Sequence, residues 1–120
     1  MAPRSILITG CNRGIGLELI KQYLKDPPGC LIATYRDQSS SEELLQLAKD
    51  NAFLKPVQFD ISKRETFPDM VTTVTNLVGA DQGLNMLINN AGYMAPNRYF
   101  LKALHIEKYT MIFSMIIKIH

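Results

Sequence analysis

The sequence has little cysteine and histidine, with two of each in 120 residues. Cys11 and Cys30 do not form a Cys-x-x-Cys pair, and His105 and His120 lie far from both along the chain. These spacings argue against a metal site, and the low cysteine content argues against a secreted scaffold held by disulfides. We therefore expect no bound metal and a reducing, cytoplasmic location.

Strong net charge and long apolar runs are also missing. The formal net charge of +2 is too small to predict a nucleic-acid-binding surface. The apolar stretch Met111–Ile119 is interrupted by Ser114 and Lys118, and it is far shorter than the roughly 20 residues that span a bilayer. Because 47% of the residues are hydrophobic and 20% charged, we predict a globular protein that binds neither nucleic acid nor membrane.

Short apolar segments alternate with amphipathic segments along the chain. The apolar segments are bounded by turn residues and predict buried strands, whereas helical periodicity and Ser-x-x-Glu capping boxes predict helices between them. The predicted strands are Ser5–Thr9, Cys30–Tyr35, Leu54–Phe59 and Leu84–Ile88, and the predicted helices are Ile15–Lys25, Ser40 to about Lys49, Ser62 to about Val78, and Lys102–His120.

This alternation predicts a parallel sheet with helices on both faces. We expect an α/β fold of the Rossmann type, a doubly wound parallel sheet truncated after about four strands in the order 3-2-1-4. Pro56 favours an edge position for the third strand, because proline has no N–H to donate. The fourth strand would form the other edge, which predicts marginal stability. Residues 1–120 would be a single, incomplete domain of this fold with a divergent helical tail at 98–120.

Three glycines in the spacing Gly-x-x-x-Gly-x-Gly separate the first predicted strand from the first predicted helix. Gly10 would permit a tight turn, Gly14 would let backbone approach a pyrophosphate, and Gly16 would let the helix pack close to the strand. Free N–H groups at the start of a helix attract phosphates. The segment therefore predicts a dinucleotide site, and the alternative is a tight turn without a ligand.

The end of the second predicted strand indicates which dinucleotide would bind. Rossmann proteins that bind NAD place an acidic residue about 20 residues past the glycines, on the ribose 2′-hydroxyl. Here Tyr35, Arg36 and Asp37 occupy that region. Arg36 and Arg13 would bind a 2′-phosphate through charge-assisted hydrogen bonds, so we favour NADP over NAD. In the alternative, Arg36 is a solvated loop residue and Asp37 bonds the ribose.

Two further pairs of residues follow the third and fourth predicted strands. The Asp60 carboxylate would accept a hydrogen bond from an adenine amino group, with Ile61 over the ring; alternatively, Asp60 only helps to start the next helix. Asn89 and Asn90 would bond neighbouring backbone and tie adjacent loops together, a structural role that needs no catalysis.

These motifs together resemble the short-chain dehydrogenase/reductase family. Its motif Thr-Gly-x-x-x-Gly-x-Gly is matched from Thr9, and its motif Asn-Asn-Ala-Gly is matched from Asn89. The resemblance covers roughly residues 5–97 and is closest to C-factor- and Sniffer-like carbonyl reductases. It implies hydride transfer between NADP(H) and a small carbonyl compound or alcohol. It also implies homo-oligomers among full-length members. The residues that it implies for cofactor binding are Gly10, Asn12, Arg13, Gly14, Ile15, Gly16, Arg36, Asp60, Ile61, Asn90, Ala91 and Gly92.

The family's catalytic Tyr-x-x-x-Lys is not found in the sequence. Its tyrosine transfers the substrate proton, and its lysine lowers the pKa of that tyrosine. None of the five tyrosines here is followed by lysine four positions later. We therefore expect the cofactor-binding portion of an oxidoreductase, inactive alone and without catalytic residues. The alternatives are a non-catalytic dinucleotide-binding fragment with regulatory or no activity, and a SAM-dependent methyltransferase, which Arg36 and Asn89–Gly92 disfavour.

Overall fold

Strands and helices alternate in the computed structural model, which describes residues 5–79 and 82–91. The strands are β1 (Ser5–Ile8), β2 (Cys30–Tyr35), β3 (Leu54–Gln58) and β4 (Met86–Ile88), and the helices are α1 (Gly14–Tyr23), α2 (Glu42–Asp50) and α3 (Phe67–Val78). Short 3-10 turns at Gln38–Ser40 and Arg64–Thr66 precede α2 and α3. The predicted tail at 98–120 and Gly92 lie outside the described residues.

The strands form one parallel sheet in the order β3-β2-β1-β4, which confirms the predicted fold class. Successive side chains of a strand point to opposite faces of the sheet. In β1, Ile6 and Ile8 pack in the core that includes Ile20 of α1, whereas Leu7 packs in the core that includes Val74 of α3. Helices thus cover both faces, which explains why every residue of β1 is buried.

The two edges of the described sheet match the sequence pattern. Pro56 lies in the edge strand β3 and pairs with Ala33 of β2, so its missing N–H disturbs no second neighbour. Strand β4 pairs with β1 alone among the described strands. It begins at Met86 and not at the predicted Leu84, and the Met86 side chain is 38% exposed.

Both predicted capping boxes are wrong. Ser40, the serine of the first box, lies in a 3-10 turn and its hydroxyl donates to the carbonyl of Asp37 at 3.1 Å, while α2 begins after Ser41. The Ser62 hydroxyl donates to Asp60 Oδ1 at 2.7 Å, and α3 begins at Phe67. In each case a preceding acceptor engages the serine, which therefore caps no helix.

Candidate functional site

A cleft of about 640 Å³ lies where the loops leave the carboxyl ends of the four strands. In open parallel sheets this edge is where ligands bind, beside the point at which the strand order reverses. The loop after β1 contributes the glycine turn, and the loops after β2, β3 and β4 supply the other walls. The lining residues are Gly10, Asn12, Arg13, Gly14, Arg36, Asp37, Ser40, Phe59, Asp60, Ile61, Asn90 and Ala91.

Most of the predicted site residues therefore meet in one cleft. Ile15 and Gly16 are not among its lining residues, and the Ile15 side chain is 73% exposed. Ser40 and Phe59 were not predicted as site residues. Ser40 lies in the polar turn that follows Arg36, and its place in that turn could have indicated a site residue.

Close packing explains two of the three glycines in the turn. Gly10 has φ +69°, and a Cβ there would lie 2.8 Å from the Cα of Ala91. A Cβ on Gly16 would overlap the carbonyl oxygen of Gly10 and lie 2.7 Å from Asn90 Nδ2. Gly16 thus allows α1 to start directly against the glycine turn. The sequence had predicted close packing of the helix against the strand, and the contact is with the turn.

Gly14 differs because the space beside it is open. Its φ is +60°, and apart from its chain neighbours and the adjoining backbone of α1 no atom lies within 4 Å of where its Cβ would stand. Arg13 precedes α1 without a side-chain cap, and the first turn of α1 carries no acidic residue. Within the described part of the chain, the amides of residues 14–16 have no acceptor. Because Gly14 lines the cleft, its amide is available to an anion there.

Hydrogen bonds tie the glycine turn to the segment after β4. The Thr9 hydroxyl oxygen accepts from the backbone N–H groups of Asn90 at 3.0 Å and Ala91 at 2.9 Å. Asn90 Nδ2 donates to the carbonyl of Gly10 at 3.0 Å, a backbone contact of the kind predicted for it. Thr9 is fully buried, so these bonds are shielded from water and hold two walls of the cleft together.

Two arginines line the cleft, together with the carboxylate of Asp37. Arg13 and Arg36 both line it, and in residues 5–79 and 82–91 neither forms an ion pair with a carboxylate. Both carboxylate oxygens of Asp37 accept from Ser39, one from its N–H at 3.2 Å and the other from its hydroxyl at 3.0 Å. The acceptors of Asp37 are therefore engaged within its own turn, whereas the two guanidinium groups are open to an anionic ligand.

Asp60 is held in its ionised form at the far wall. Burial raises the pKa of Asp60, but hydrogen bonds from the hydroxyl and N–H of Ser62 and the charges of Arg36 and Lys63 outweigh it, so the net pKa is lowered. Asp60 thus contributes stability above the pKa that it has in the unfolded chain, and this contribution is lost as the pH falls through its folded pKa.

Replacing Ser62 by alanine is expected to raise the pKa of Asp60, because the hydroxyl that donates at 2.7 Å to its carboxylate is removed. Carbon-13 NMR titration of the Asp60 carboxyl measures this. Thr66→Ala is the control, since the Thr66 hydroxyl donates to the carbonyl of Lys63 and not to Asp60. An unchanged pKa in Ser62→Ala would show that the hydroxyl does not stabilise the anion.

Cys11 lies inside the glycine turn but does not present a reactive thiol. Its side chain is fully buried, and its thiol donates to the carbonyl of Ile8 at 3.1 Å. Burial, with the hydrogen bond from Thr34 acting weakly against it, raises the pKa of Cys11 to about 12. No group of three or more metal-ligating side chains occurs in the described ranges, nor does any helix there have the length and apolar character to cross a membrane.

A parallel sheet in the order β3-β2-β1-β4, with a glycine turn after β1, defines a Rossmann-type α/β domain. The family model of the short chain dehydrogenases matches residues 4–116. The chain therefore belongs to the short-chain dehydrogenase family, a family of oxidoreductases.

Curated relatives and solved structures agree with this family. The short chain dehydrogenase gsfK of Penicillium aethiopicum is 33% identical over 103 residues, which are 84% of this chain and 40% of that protein. Human retinol dehydrogenase 8 is 35% identical over 95 residues, or 76% of this chain and 29% of that protein.

Among solved structures, the carbonyl reductase Sniffer of D. melanogaster matches with 32% identity and a TM-score of 0.80, over 98% of this chain and 50% of that one. The NADPH-bound carbonyl reductase from chicken fatty liver matches with 27% identity and a TM-score of 0.87, over 98% of this chain and 51% of that one. The chain thus spans about half the length of these structures and less than half of the curated relatives.

Proposed function

We propose that this chain binds NADP(H) as the cofactor-binding part of a reductase that acts on carbonyl compounds. The observation that carries the proposal is the cleft itself, where the open backbone at Gly14 and the uncapped start of α1 lie beside two arginines without ion pairs in the described residues. Amide donors at a helix start suit a pyrophosphate, and guanidinium groups suit a phosphate monoester. The NADPH of the chicken carbonyl reductase supports the same choice of cofactor.

The lining residues fit the parts of such a cofactor. Gly14 and the amides after it would bind the pyrophosphate, Arg13 and Arg36 the 2′-phosphate, and Asp60 with Ile61 the adenine. Gly10 and Gly16 shape the turn. We assign the remaining contacts with the cofactor to Asn12, Ile15, Asn90, Ala91 and Gly92. Bound NADPH would supply the hydride, while these residues would bind and orient it.

Turnover by this chain alone is not part of the proposal. None of its tyrosines is followed by lysine four positions later, so no residue here is assigned to transfer the substrate proton. The second candidate, a dinucleotide-binding protein without catalysis, is favoured by that same observation. We place the protein in the cytoplasm, where Cys11 and Cys30 would remain the free thiols that they are here, and propose a small carbonyl substrate and a homo-oligomer for a complete enzyme.

Titration of NADPH fluorescence with the full chain tests cofactor binding. We expect saturable binding of NADPH, and about tenfold weaker binding of NADH, corresponding to roughly 1.4 kcal/mol. If the folded protein binds neither at millimolar concentration, or binds S-adenosylmethionine instead, the proposal is wrong. Oxidation of NADPH with a panel of carbonyl compounds then separates the two candidates, because only an enzyme consumes the cofactor.

A further inference from the structure

Thr34 contacts the glycine turn from strand β2 through two different oxygens. Its hydroxyl oxygen accepts from the N–H of Gly10 at 3.2 Å, and its carbonyl accepts from the N–H of Cys11 at 2.8 Å. The residue is 1% exposed. The first two amides of the turn are therefore bound to one residue of the neighbouring strand, whereas the amides at the start of α1 have no acceptor in the described part of the chain.

The two bonds differ in what they require of the sequence. The carbonyl bond to Cys11 is available to any residue at this position. The bond to Gly10 requires a side-chain acceptor, which threonine and serine have and valine, of nearly the same shape as threonine, lacks. Although β2 is mostly apolar, the hydroxyl of Thr34 thus has a hydrogen-bonding role in the glycine turn.

The bond to Gly10 holds a residue that contacts the start of α1. The carbonyl of Gly10 accepts from Asn90 Nδ2 at 3.0 Å, so Gly10 is held from β2 on one side and from the β4 loop on the other. Gly16 packs against that same carbonyl. A shift of Gly10 would therefore move the first turn of α1, to whose amides we assign the pyrophosphate.

We propose that the Thr34 hydroxyl is a positioning group for pyrophosphate binding, acting through the Gly10 amide without touching the ligand. The inference rests on the proposed function, because it presumes that a dinucleotide occupies the cleft. A positioning role predicts a selective loss: ligands with a pyrophosphate weaken, and ligands held only by the adenine and 2′-phosphate contacts do not.

The test compares T34V and T34S with the wild-type full chain, using NADPH and adenosine 2′-monophosphate, which has no pyrophosphate, as the two ligands. We expect T34V to bind NADPH about tenfold more weakly, which is the loss of one well-placed hydrogen bond, while its affinity for adenosine 2′-monophosphate stays within about twofold. T34S keeps the acceptor and is expected to bind NADPH like the wild type.

Ser5→Ala is the matched control. The buried Ser5 hydroxyl donates to the carbonyl of Gly83 and accepts from the N–H of Asn85, both at 3.0 Å, at the opposite end of β1. Its removal is expected to lower the melting temperature and leave NADPH affinity unchanged. If Ser5→Ala weakens NADPH as much as T34V does, the loss reflects stability alone and the proposal fails.

The remaining outcomes are also decisive. Equal weakening of both ligands by T34V, or weak NADPH binding by T34S, overturns the positioning role. If the folded wild type does not bind NADPH, the proposed function itself is wrong. Should T34V not fold, amide exchange in the free wild type decides: slow exchange at Gly10 supports the hydrogen bond, and exchange as fast as at Gly14 overturns it.

Discussion

Replacing Gly16 by alanine is expected to destabilise the protein by about 3 kcal/mol, the upper part of the range for inserting a methyl into packed surroundings. The new Cβ would overlap the carbonyl oxygen of Gly10 and lie 2.7 Å from Asn90 Nδ2, and a hydrogen bond of 3.0 Å joins those two groups. The Gly10 carbonyl is backbone and cannot swing away, and Asn90 Nδ2, although the end of a side chain, is held by that hydrogen bond. Alanine stabilises a helix relative to glycine by only about 1 kcal/mol, so the steric cost of the overlap exceeds this gain.

Thermal and urea unfolding measure this effect. In a small domain, about 1 kcal/mol shifts the melting temperature by roughly 4–8 °C, so Gly16→Ala should lower it by more than 10 °C. It should also weaken NADPH binding, because the start of α1 has to move. A melting temperature equal to that of the wild type would show that α1 does not approach the glycine turn as closely as described.

Gly14→Ala is the control, since it adds the same methyl two residues earlier in open space. Its positive φ of +60° should cost alanine about 1–2 kcal/mol. This variant should remain folded and yet bind NADPH poorly, because the methyl would occupy the space proposed for phosphate oxygens. If Gly14→Ala keeps wild-type affinity, the pyrophosphate does not lie against this backbone.

The sheet could be predicted from the sequence because its determinants are regular. Apolar strand segments separated by helical segments permit few parallel arrangements, and Pro56 favoured β3 as an edge. The starts of α2 and α3 could not be predicted from spacing alone. Ser40 and Ser62 have the residue type of a helix cap, but their hydroxyls donate to Asp37 and Asp60, which precede them in the chain.

Lining residues that directly follow a strand could be predicted, because the carboxyl ends of parallel strands meet at one edge of the sheet. Phe59 is a lining residue that could not be predicted. Its ring lies 5.3 Å from that of Phe67 and is 7% exposed, so it belongs mainly to the core and reaches the cleft with only a small part of its surface. Thr34 was likewise not singled out, because its contact with Gly10 joins residues 24 positions apart.

Arg36→Gln is expected to weaken NADPH binding by at least tenfold and to change NADH binding by less than about twofold. A charge-assisted hydrogen bond to a phosphate contributes about 1.5–3 kcal/mol, and exposure of Arg36 to solvent places the expected loss at the lower end. The ligands differ only in the 2′-phosphate, so the ratio of their affinities isolates that contact. Fluorescence titration of both cofactors against the same protein gives this ratio.

Lys25→Gln separates a specific contact from a change in net charge. Lys25 is exposed, follows α1 and does not line the cleft, and its substitution removes the same formal charge as Arg36→Gln. The NADPH preference should persist in Lys25→Gln and disappear in Arg36→Gln, and the difference should shrink as salt is raised, because exposed charges are screened. Equal losses for NADPH and NADH in Arg36→Gln would mean that Arg36 supports the cleft generally. No loss for either would favour the alternative in which Arg36 is solvated, and would remove the main support for choosing NADP over NAD.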